Sequence, residues 1–467
     1  MPDFKLLING KMVEGADTLD VINPATEELA GTCSRASEAQ LNDAVAAAHA
    51  AFPKWAATPI EQRREALEKV ADIAMGNAAE LGAILTSEQG KPLNDAVTEA
   101  FGFGVFTKHF AGMDLPVDVL EDSETRRVEV HRMPLGVVGA IIPWNFPLIL
   151  IGFKLAPALL AGNTLVVKPA PTTPLATLRL AELIADALPP GVFNVIADAN
   201  DLGGCLTAHP DIRKISFTGS TATGSKVMAG AAATIKRITL EMGGNDAGLV
   251  LPDVDPKETA PKVFDAAFAN NGQVCIALKR LYVHEDIYEP MCEELANIAR
   301  SKKVGDGAAE GTQLGPLQNR LQYEKVQAII ADAAEKGTVI AGGKALDGPG
   351  YFIEPTIVRD ISAGARLVDE EQFGPALPVI KYSDPEEVLA QINSTSEGLG
   401  GSVWATDVDA AQKLAARMES GTVWVNKHGE LDPGIPFAGA KQSGIGTELG
   451  ATGLDEFTQR KVLNIAR

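Results

Sequence analysis

The first apolar residues of the chain form two short runs separated by a turn dipeptide. Residues 5–13, KLLINGKMV, place Asn9-Gly10 between these runs. Both residues tolerate positive φ, as the central positions of a type I′ turn require. We therefore predict that the chain opens with a β-hairpin.

Two segments with helical periodicity follow, each preceded by the spacing of a capping box. Ser37 and Gln40 precede the first segment, and Thr58 and Glu61 precede the second. In a capping box the Ser or Thr side chain accepts from the backbone three residues later, and the Gln or Glu side chain reaches back. The pattern predicts an N-terminal layer of helices that extends to about residue 115.

From about residue 127 onward the pattern becomes that of strands. Residues 126–142, RRVEVHRMPLGVVGAII, first alternate and then become continuously apolar, which favours an edge strand leading into a buried strand. The runs TLVVK, FNVI and KISFTG then alternate with helical segments, and a second βα series runs from DAGLVL to about residue 440. This rhythm is typical of an α/β protein with a doubly wound, Rossmann-type parallel sheet.

Composition and charge restrict the classes of function. The chain has 467 residues, 46% of them hydrophobic, and a net charge of −20, which disfavours nucleic acids and anionic membrane surfaces as partners. The four cysteines are far apart and lack the short paired spacing of zinc sites or disulfide frameworks. The N-terminus has no basic region followed by a long apolar region, so we expect a cytoplasmic protein.

Four positions could carry chemistry, and each has a plainer alternative. Cys275, in NNGQVC, is either a nucleophile or a small buried residue, and Asn145, in PWNFPL, is either an oxyanion donor or a turn residue. Glu241, after a strand in LEMGG, is either a general base or a surface carboxylate. Gly219-Ser220, in FTGS, could hold a pyrophosphate at a helix start or form an ordinary strand-to-helix turn.

The order of these motifs resembles the signature set of the NAD(P)-dependent aldehyde dehydrogenase superfamily, in its hydrolytic, non-acylating form. PWNFPL, FTGS, LEMGG, FANNGQVC, EEQFGP and PFAGAKQSG follow one another in the family's order and cover essentially the whole chain. The resemblance implies oxidation of an aldehyde to a carboxylic acid through a covalent thiohemiacetal and thioester on Cys275. It further implies that Asn145 holds the oxyanion, that Glu241 activates water, and that Lys154 and Glu448 support the site.

The resemblance also assigns binding residues, and it requires no metal. The residues that it places around NAD or NADP are Ile142, Trp144, Lys168, Gly219, Ser220, Gly224, Gly243, Glu371 and Phe373. The residues that it places along the substrate tunnel are Phe146, Leu150, Phe153, Val274, Ile276, Leu431 and Phe437. These tunnel residues are apolar, which suits aliphatic or aromatic aldehydes, although His428, Glu430 and Asp432 in the nearby loop could meet a polar group.

Three departures from the family pattern bear on the cofactor and the surroundings of the site. Pro171 stands where many NAD-preferring relatives have a glutamate, and the loss of this carboxylate predicts that both NAD and NADP are used. Asn245 and Asp246 replace a lysine and a small residue, and Thr447 replaces an arginine. These changes leave the proposed thiol and carboxylate in place.

By resemblance, the chain divides into two domains and an arm. The cofactor domain is expected at residues 1–115 and 135–242, and the catalytic domain at residues 243–442. Residues 116–134 and 443–467 are expected to contain the oligomerisation arm and the C-terminal segment, which predicts a homodimer or homotetramer.

Three other functions remain open at this point. A coenzyme-A-acylating relative would pass the thioester to a thiol, but such enzymes generally lack the glutamate found at Glu241. A non-catalytic protein on the same scaffold would not need Cys275, Glu241 and Asn145 together. A cysteine hydrolase would need no nicotinamide.

Overall fold

Two large, mostly parallel sheets and the helices that flank them make up most of the chain. The computed structural model describes residues 3–467. The helices are α1 Glu38–Ala56, α2 Ile60–Gly76, α3 Ala78–Gln89, α4 Leu93–Ala111, α5 Pro147–Leu160, α6 Leu175–Ile184, α7 Gly203–Ala208, α8 Thr221–Ala232, α9 Pro256–Phe268, α10 Tyr288–Ser301, α11 Arg320–Lys336, α12 Arg366–Asp369, α13 Pro385–Asn393, α14 Val408–Ala415 and α15 Gly450–Asp455.

The strands are shorter and fall into the two large sheets and three small ones. They are β1 Leu6–Ile8, β2 Lys11–Val13, β3 Asp17–Ile22, β4 Leu29–Arg35, β5 Asp118–Asp122, β6 Arg126–Pro134, β7 Val137–Ile141, β8 Thr164–Lys168, β9 Phe193–Val195, β10 Ile212–Thr218, β11 Arg237–Glu241, β12 Ala247–Val250, β13 Arg280–His284, β14 Thr338–Ala341, β15 Thr356–Arg359, β16 Ala376–Tyr382, β17 Glu397–Gly398, β18 Gly400–Trp404, β19 Thr422–Val425, β20 Ala440–Lys441, β21 Gly444–Ile445 and β22 Thr458–Ala466.

The N-terminal predictions are confirmed except at one helix start. Strands β1 and β2 form the expected hairpin, with Asn9 at φ 54° and Gly10 at φ 72°. The Ser37 capping box is present at α1. The predicted Thr58 box is wrong, because α2 begins at Ile60 without a side-chain cap and the Thr58 hydroxyl donates to the carbonyl of Lys54. The hydroxyl therefore finishes the preceding helix instead of starting the next one.

The first large sheet has the predicted doubly wound arrangement. Its strand order is β2-β1-β9-β8-β7-β10-β11-β21, and the five strands from β9 to β11 are parallel. The α-helical layer and the sheet share one hydrophobic core. Its last strand, β21, lies antiparallel to β11 and pairs Gly444 with Glu241, so a C-terminal segment closes the sheet beside this glutamate.

The second large sheet has the strand order β14-β15-β16-β13-β12-β18-β19 and is parallel except for β14. Separate hydrophobic clusters cover its two faces. The carboxyl ends of parallel strands are where open α/β sheets bind ligands, so both sheets can contribute residues to one crevice.

A three-stranded antiparallel sheet contains the segment predicted as an edge strand. Strand β6 lies between β5 and β22, which corrects the edge assignment because both sides of β6 are hydrogen-bonded within the chain. β22 pairs with β6 along its whole length and leaves its other edge free among the described residues. Within residues 3–467, no helix is both long and apolar enough to cross a membrane.

Candidate active site

The NNGQVC segment forms a tight, heavily anchored loop after α9. Asn270 and Asn271 have φ values of 47° and 56°, a left-handed conformation that asparagine tolerates better than most residues. Gly272 follows at φ 75°, and a Cβ at this position would lie 2.3 Å from the carbonyl oxygen of Gly374. Glycine is therefore required both by the backbone conformation and by the close approach of the loop that contains EEQFGP.

The side chains around Gly272 fix the loop to its surroundings. The Asn271 amide donates to the Gly315 carbonyl at 2.8 Å. The Gln273 amide is fully buried, donates to the Pro316 carbonyl at 3.3 Å and accepts from the Gln318 backbone at 2.8 Å. These bonds hold the peptide that leads into Cys275 in one conformation.

Cys275 is the half-buried thiol at the end of this loop. Burial raises the pKa of the Cys275 thiol to about 12, and the nearby positive charge of Lys279 acts in the opposite direction. Lys279 also donates from Nζ to the Cys275 carbonyl at 2.5 Å and lies 3.3 Å from Glu371 Oε1. Lys279 thus connects the thiol loop to the loop that carries Glu371.

Asn145 is bound directly to the cysteine loop. Its Nδ2 donates to the Gln273 carbonyl at 3.0 Å, and its side chain is almost fully buried. An amide nitrogen carries two hydrogens, so one N–H remains for another acceptor. Asn145 and Cys275 line the same cavity of about 190 Å³, together with Trp144 and Met242.

The same cavity contains most of the predicted cofactor residues. Those that line it are Trp144, Gly219, Ser220, Gly243, Glu371 and Phe373. Ser220 caps α8, and its side chain accepts from the Thr223 backbone. The Trp144 and Phe373 rings meet edge to face with centroids 5.4 Å apart. The start of an α-helix, two aromatic rings and a carboxylate therefore surround one opening.

Three further predicted cofactor residues are not part of the lining of this cavity. Ile142 follows β7 and donates from its backbone to the Lys168 carbonyl at 3.0 Å. Gly224 lies in α8, where a Cβ would be 2.2 Å from Met242 Sδ. Lys168 ends β8, and its Nζ lies 2.6 Å from Asp198 Oδ1 in a buried ion pair.

Glu241 lies at the carboxyl end of β11 and is buried. Neither carboxyl oxygen has a hydrogen-bond partner among the described residues. Burial raises the pKa of Glu241 well above its ordinary value, and Glu448 adds to this rise while Lys154 opposes it. An unpartnered carboxyl of this kind is suited to proton transfer.

Lys154 and Glu448 form a buried ion pair close to Glu241. The Lys154 ammonium binds Glu448 Oε1 and donates to Thr218 Oγ1 at 2.8 Å. Thr218 is paired with Glu241 across β10 and β11. Two chain segments that are far apart in sequence therefore meet beside the predicted base.

The predicted tunnel residues have different surroundings. Phe153, Ile276 and Phe437 are buried in the first hydrophobic core, and Leu150, Val274 and Leu431 pack against it with Cys275. The Phe146 ring instead lies beneath the Lys91 ammonium, 3.6 Å from its centroid.

Val274 and Ile276 line a second cavity of about 320 Å³, beside the NNGQVC loop. Lys262, Lys427 and Asp265 line this cavity too, so it is more highly charged than the apolar residues alone indicated. His428 is bound to the protein, with Nε2 donating to the Ile276 carbonyl at 2.9 Å and Nδ1 3.0 Å from Ser402 Oγ. Burial lowers the pKa of His428 to about 3, so this ring is neutral.

Sequence reasoning missed two residues of the main cavity on α11. Gln322 donates to the carbonyls of Gln372 and Phe373 at 2.8 and 2.9 Å, and Lys325 donates to the carbonyl of Glu371 at 2.7 Å. Nothing local marks them, because their partners are about fifty residues away in the chain.

A Rossmann-type sheet beside a cavity that is lined by a cysteine is typical of a dinucleotide-dependent oxidoreductase. Residues 12–463 match the model of the aldehyde dehydrogenase family. The chain belongs to this family and is an NAD(P)-dependent enzyme of aldehyde oxidation.

Individual relatives agree over nearly the whole chain. A mitochondrial aldehyde dehydrogenase of Leishmania tarentolae is 40% identical over 471 aligned positions, which cover 99% of this chain and 95% of the relative. The NAD⁺ complex of a Bacillus cereus aldehyde dehydrogenase has a TM-score of 0.97 and 35% identity, covering 100% of this chain and 97% of that one. An NADP-dependent enzyme of E. coli has a TM-score of 0.97 and 36% identity, and the match covers 100% of this chain and 98% of the E. coli chain.

Proposed function

We propose that Cys275 is the nucleophile of this aldehyde dehydrogenase. Asn145 donates to the oxyanion that forms from the aldehyde oxygen, and Glu241 activates the water that hydrolyses the thioester. The observation that carries this proposal is the shared cavity, in which the Cys275 thiol and the Asn145 amide lie beside the start of α8. The hydrogen bond from Asn145 to the Gln273 carbonyl keeps the amide next to the thiol loop.

The first step is addition of the Cys275 thiolate to the aldehyde carbon. A sulfur–carbon bond forms, and the carbonyl electron pair moves to oxygen. The free N–H of Asn145 and the backbone N–H of Cys275 then donate to this oxyanion. NAD(P)⁺, held by the residues that we assign to the cofactor, would supply the hydride acceptor, and loss of hydride from this carbon would leave a thioester on sulfur.

The second step is hydrolysis of the thioester, for which we assign Glu241 as the base. Its carboxylate takes a proton from water, the water oxygen bonds to the acyl carbon, and the sulfur–carbon bond breaks to release the acid. Burial raises the pKa of Glu241 above its ordinary value, which makes its carboxylate a stronger base than an exposed glutamate. The ion pair of Lys154 with Glu448 sets the charge around Glu241 and is proposed to support proton transfer.

The chain's own residues fit a dinucleotide in the main cavity. The α8 N-terminus at Gly219 and Ser220 offers backbone N–H groups to a pyrophosphate. A Cβ on Gly243 would lie 2.2 Å from Glu371 Oε2, so glycine there lets the carboxylate stand at the cleft, where we place the nicotinamide ribose. We place Lys168 at the adenosine ribose, with Ile142, Trp144, Gly224 and Phe373 completing the cofactor site.

We propose that both NAD and NADP serve as cofactors. Solved neighbours of each kind support this proposal, since one is an NAD⁺ complex and another is described as NADP-dependent. Position 171 itself contributes no carboxylate, which favours tolerance of a 2′-phosphate, although Asp198 remains paired with Lys168.

For the substrate we propose aliphatic or aromatic aldehydes. Phe153 and Phe437 belong to the hydrophobic core against which Cys275 and Leu431 pack, and this apolar setting supports the proposed class. A panel of aldehydes compared by kcat/KM tests it, and a strong preference for aldehydes with a carboxylate would contradict it and direct attention to Lys262.

We further propose that the protein is a cytoplasmic homodimer or homotetramer. The free edge of β22 supports assembly, because unpaired strand edges recruit partners. We retain residues 1–115 with 135–242 as the cofactor domain and 243–442 as the catalytic domain. In this division, the 116–134 segment and β22 form the arm.

Two cysteine variants test the proposed nucleophile. Cys275→Ala is expected to abolish acid formation while cofactor binding, followed by fluorescence of the reduced cofactor, is retained. Cys205→Ala is the matched control, since Cys205 is also a half-buried free thiol and is expected to leave turnover unchanged. Retained turnover in Cys275→Ala would overturn the proposal.

A further inference from the structure

A buried ion pair from the N-terminal helical layer touches the segment that carries Asn145. Lys91 lies between α3 and α4, and Glu99 lies on α4. The Lys91 ammonium is 2.5 Å from Glu99 Oε2, and the two side chains are 1% and 2% exposed. Neither residue has a part in the reaction steps above.

Lys91 contacts two consecutive residues of the PWNFPL motif. Its Nζ donates to the Asn145 carbonyl at 2.8 Å and lies 3.6 Å from the centroid of the Phe146 ring. A cation over an aromatic face is attracted by the ring, and this attraction is strongest where water is excluded. Lys91 therefore binds the backbone of Asn145 and packs on the next side chain.

Glu99 holds the following turn of the same segment. Its Oε1 accepts from the backbone N–H of Leu148 at 2.9 Å and of Ile149 at 3.4 Å. These are among the first N–H groups of α5, which have no partner within the helix. The carboxylate thus fixes the start of α5, immediately after Asn145 and Phe146.

Asn145 is hydrogen-bonded through both its backbone carbonyl and its side-chain amide. Its backbone carbonyl accepts from Lys91 and, at 3.2 Å, from Asn270 Nδ2, while its side-chain amide donates to Gln273. The backbone position of Asn145 determines where its second amide N–H points. Moving that backbone would move the N–H away from the oxyanion.

Stability alone does not account for a buried ion pair. Apolar residues of similar volume often serve a core as well or better, because two charges lose their hydration on burial. Apolar side chains could not donate to the Asn145 carbonyl or accept from the start of α5. The pair is therefore suited to a task of orientation.

We infer that Lys91, together with Glu99, is a positioning residue that aims the Asn145 amide at the oxyanion. The inference rests on the proposed role of Asn145 in the reaction. Lys91 and Glu99 do not line the main cavity, and they contact this segment through its backbone and the Phe146 ring.

The test is a double-mutant cycle with Lys91→Met, Asn145→Ala and the double variant, assayed with propanal and NAD⁺. Removing an oxyanion donor costs about 100- to 1,000-fold in kcat, which is the loss expected for Asn145→Ala. A donor displaced by about 1 Å costs on the order of 100-fold, so Lys91→Met is expected to lower kcat by about 10- to 100-fold. The double variant is expected to be no slower than Asn145→Ala.

Two measurements separate positioning from damage to the fold. Lys91→Met is expected to leave the Kd for NADH within about twofold, because Lys91 contacts none of the residues that we assign to the cofactor, and to lower kcat far more than it changes the aldehyde KM. Glu99→Gln, which keeps the shape of the carboxylate, provides a second cycle if Lys91→Met does not fold.

Glu88→Gln is the matched control for Glu99→Gln. Glu88 is also a fully buried carboxyl that accepts from the start of a helix, at the backbone N–H groups of Leu175 and Ala176, but it does not touch Asn145. This control is expected to change the melting temperature while kcat stays within about twofold of the parent.

The outcomes distinguish the two proposals. If Lys91→Met keeps the parent's kcat, or if its loss multiplies with that of Asn145→Ala, the positioning role is wrong while the proposed function stands. If Asn145→Ala itself keeps the parent's kcat, the oxyanion role of Asn145 fails and the positioning role fails with it.

Discussion

Lys168 and Asp198 form a buried ion pair at the carboxyl edge of the first sheet, with Nζ 2.6 Å from Oδ1. The second carboxyl oxygen of Asp198 accepts from the Leu202 backbone at 2.8 Å, which fixes the carboxylate against the lysine. The absence of a glutamate at position 171 is therefore partly offset by a carboxylate from another loop. Lys168 has less positive charge to offer a 2′-phosphate than the sequence alone indicated.

Asp198→Asn is expected to shift cofactor preference toward NADP. Removing this negative charge leaves Lys168 free to attract the 2′-phosphate, and the ratio of the Kd for NADPH to that for NADH should fall by about tenfold. Fluorescence titration of both reduced cofactors measures this ratio without turnover. Asp201→Asn, three residues away and paired with Arg35 at the surface, should leave it unchanged. An unaltered ratio in Asp198→Asn would show that the pair lies away from the adenosine ribose.

The reactivity of Cys275 is expected to rise with pH and to depend on Lys279. Because burial raises the pKa of the thiol to about 12, the reactive thiolate fraction increases about tenfold per pH unit below that value. The rate of iodoacetamide alkylation between about pH 7 and 10, measured by mass spectrometry on the cofactor-free protein, should follow this slope.

Lys279→Met is expected to slow this alkylation at every pH, since its positive charge lowers the pKa of the thiol. The Cys275→Ala variant gives the background from the other three cysteines. A rate that does not change with pH would contradict the buried, protonated thiol.

Glu241→Gln is expected to separate the two halves of the reaction. Loss of the base leaves thioester formation intact but stops hydrolysis, so one equivalent of reduced cofactor per active site should appear in a burst, followed by turnover about 100-fold slower or more. Rapid-mixing absorbance measures the burst, and intact mass detects the acylated protein.

In the parent enzyme, the pH profile provides a second check on Glu241. A carboxyl whose pKa is raised is protonated, and therefore inactive as a base, at pH values where an ordinary glutamate is ionised. The hydrolysis rate should rise with pH through the raised pKa. A variant that turns over at the parent's rate would remove Glu241 from the mechanism.

Val462→Asp is expected to disrupt assembly. Val462 lies on β22 and is 59% exposed in the single chain, so burial in a subunit interface would make a new carboxylate there costly. Sedimentation velocity should show a smaller species than the parent. Leu321→Asp makes the same kind of change at an 80% exposed residue on α11 and should leave the size unchanged. A parent protein that sediments as a monomer would refute the arm assignment.

The sequence predicted those features whose signal is local or shared with a family. The Asn9-Gly10 turn and the Ser37 capping box depend on neighbouring residues, and both are present. The capping box predicted at Thr58 is wrong because a threonine hydroxyl can bond either to the preceding helix or to the following one. Here it donates to the Lys54 carbonyl, and the sequence spacing is the same in both cases.

Contacts between segments that are distant in the chain could not be predicted from local sequence patterns. Asp198 is thirty residues from Lys168, and Lys91 is fifty-four residues from Asn145. Hydrophobic periodicity records which face of an element is buried, but it does not record which polar group a buried charge will meet. These pairs form only where the fold brings distant elements side by side.

The closure of the first sheet by β21 has a consequence for biosynthesis. Asn145, Glu241 and Cys275 all leave the ribosome well before Gly444 pairs with Glu241 and before Glu448 reaches Lys154. Until then Lys154 on α5 lacks its Glu448 partner, and β11, which ends at Glu241, is the edge strand of the first sheet. Completion of the proposed catalytic centre therefore requires the last part of the chain, and a chain that stalls before residue 448 contains Cys275 but lacks the Lys154–Glu448 ion pair.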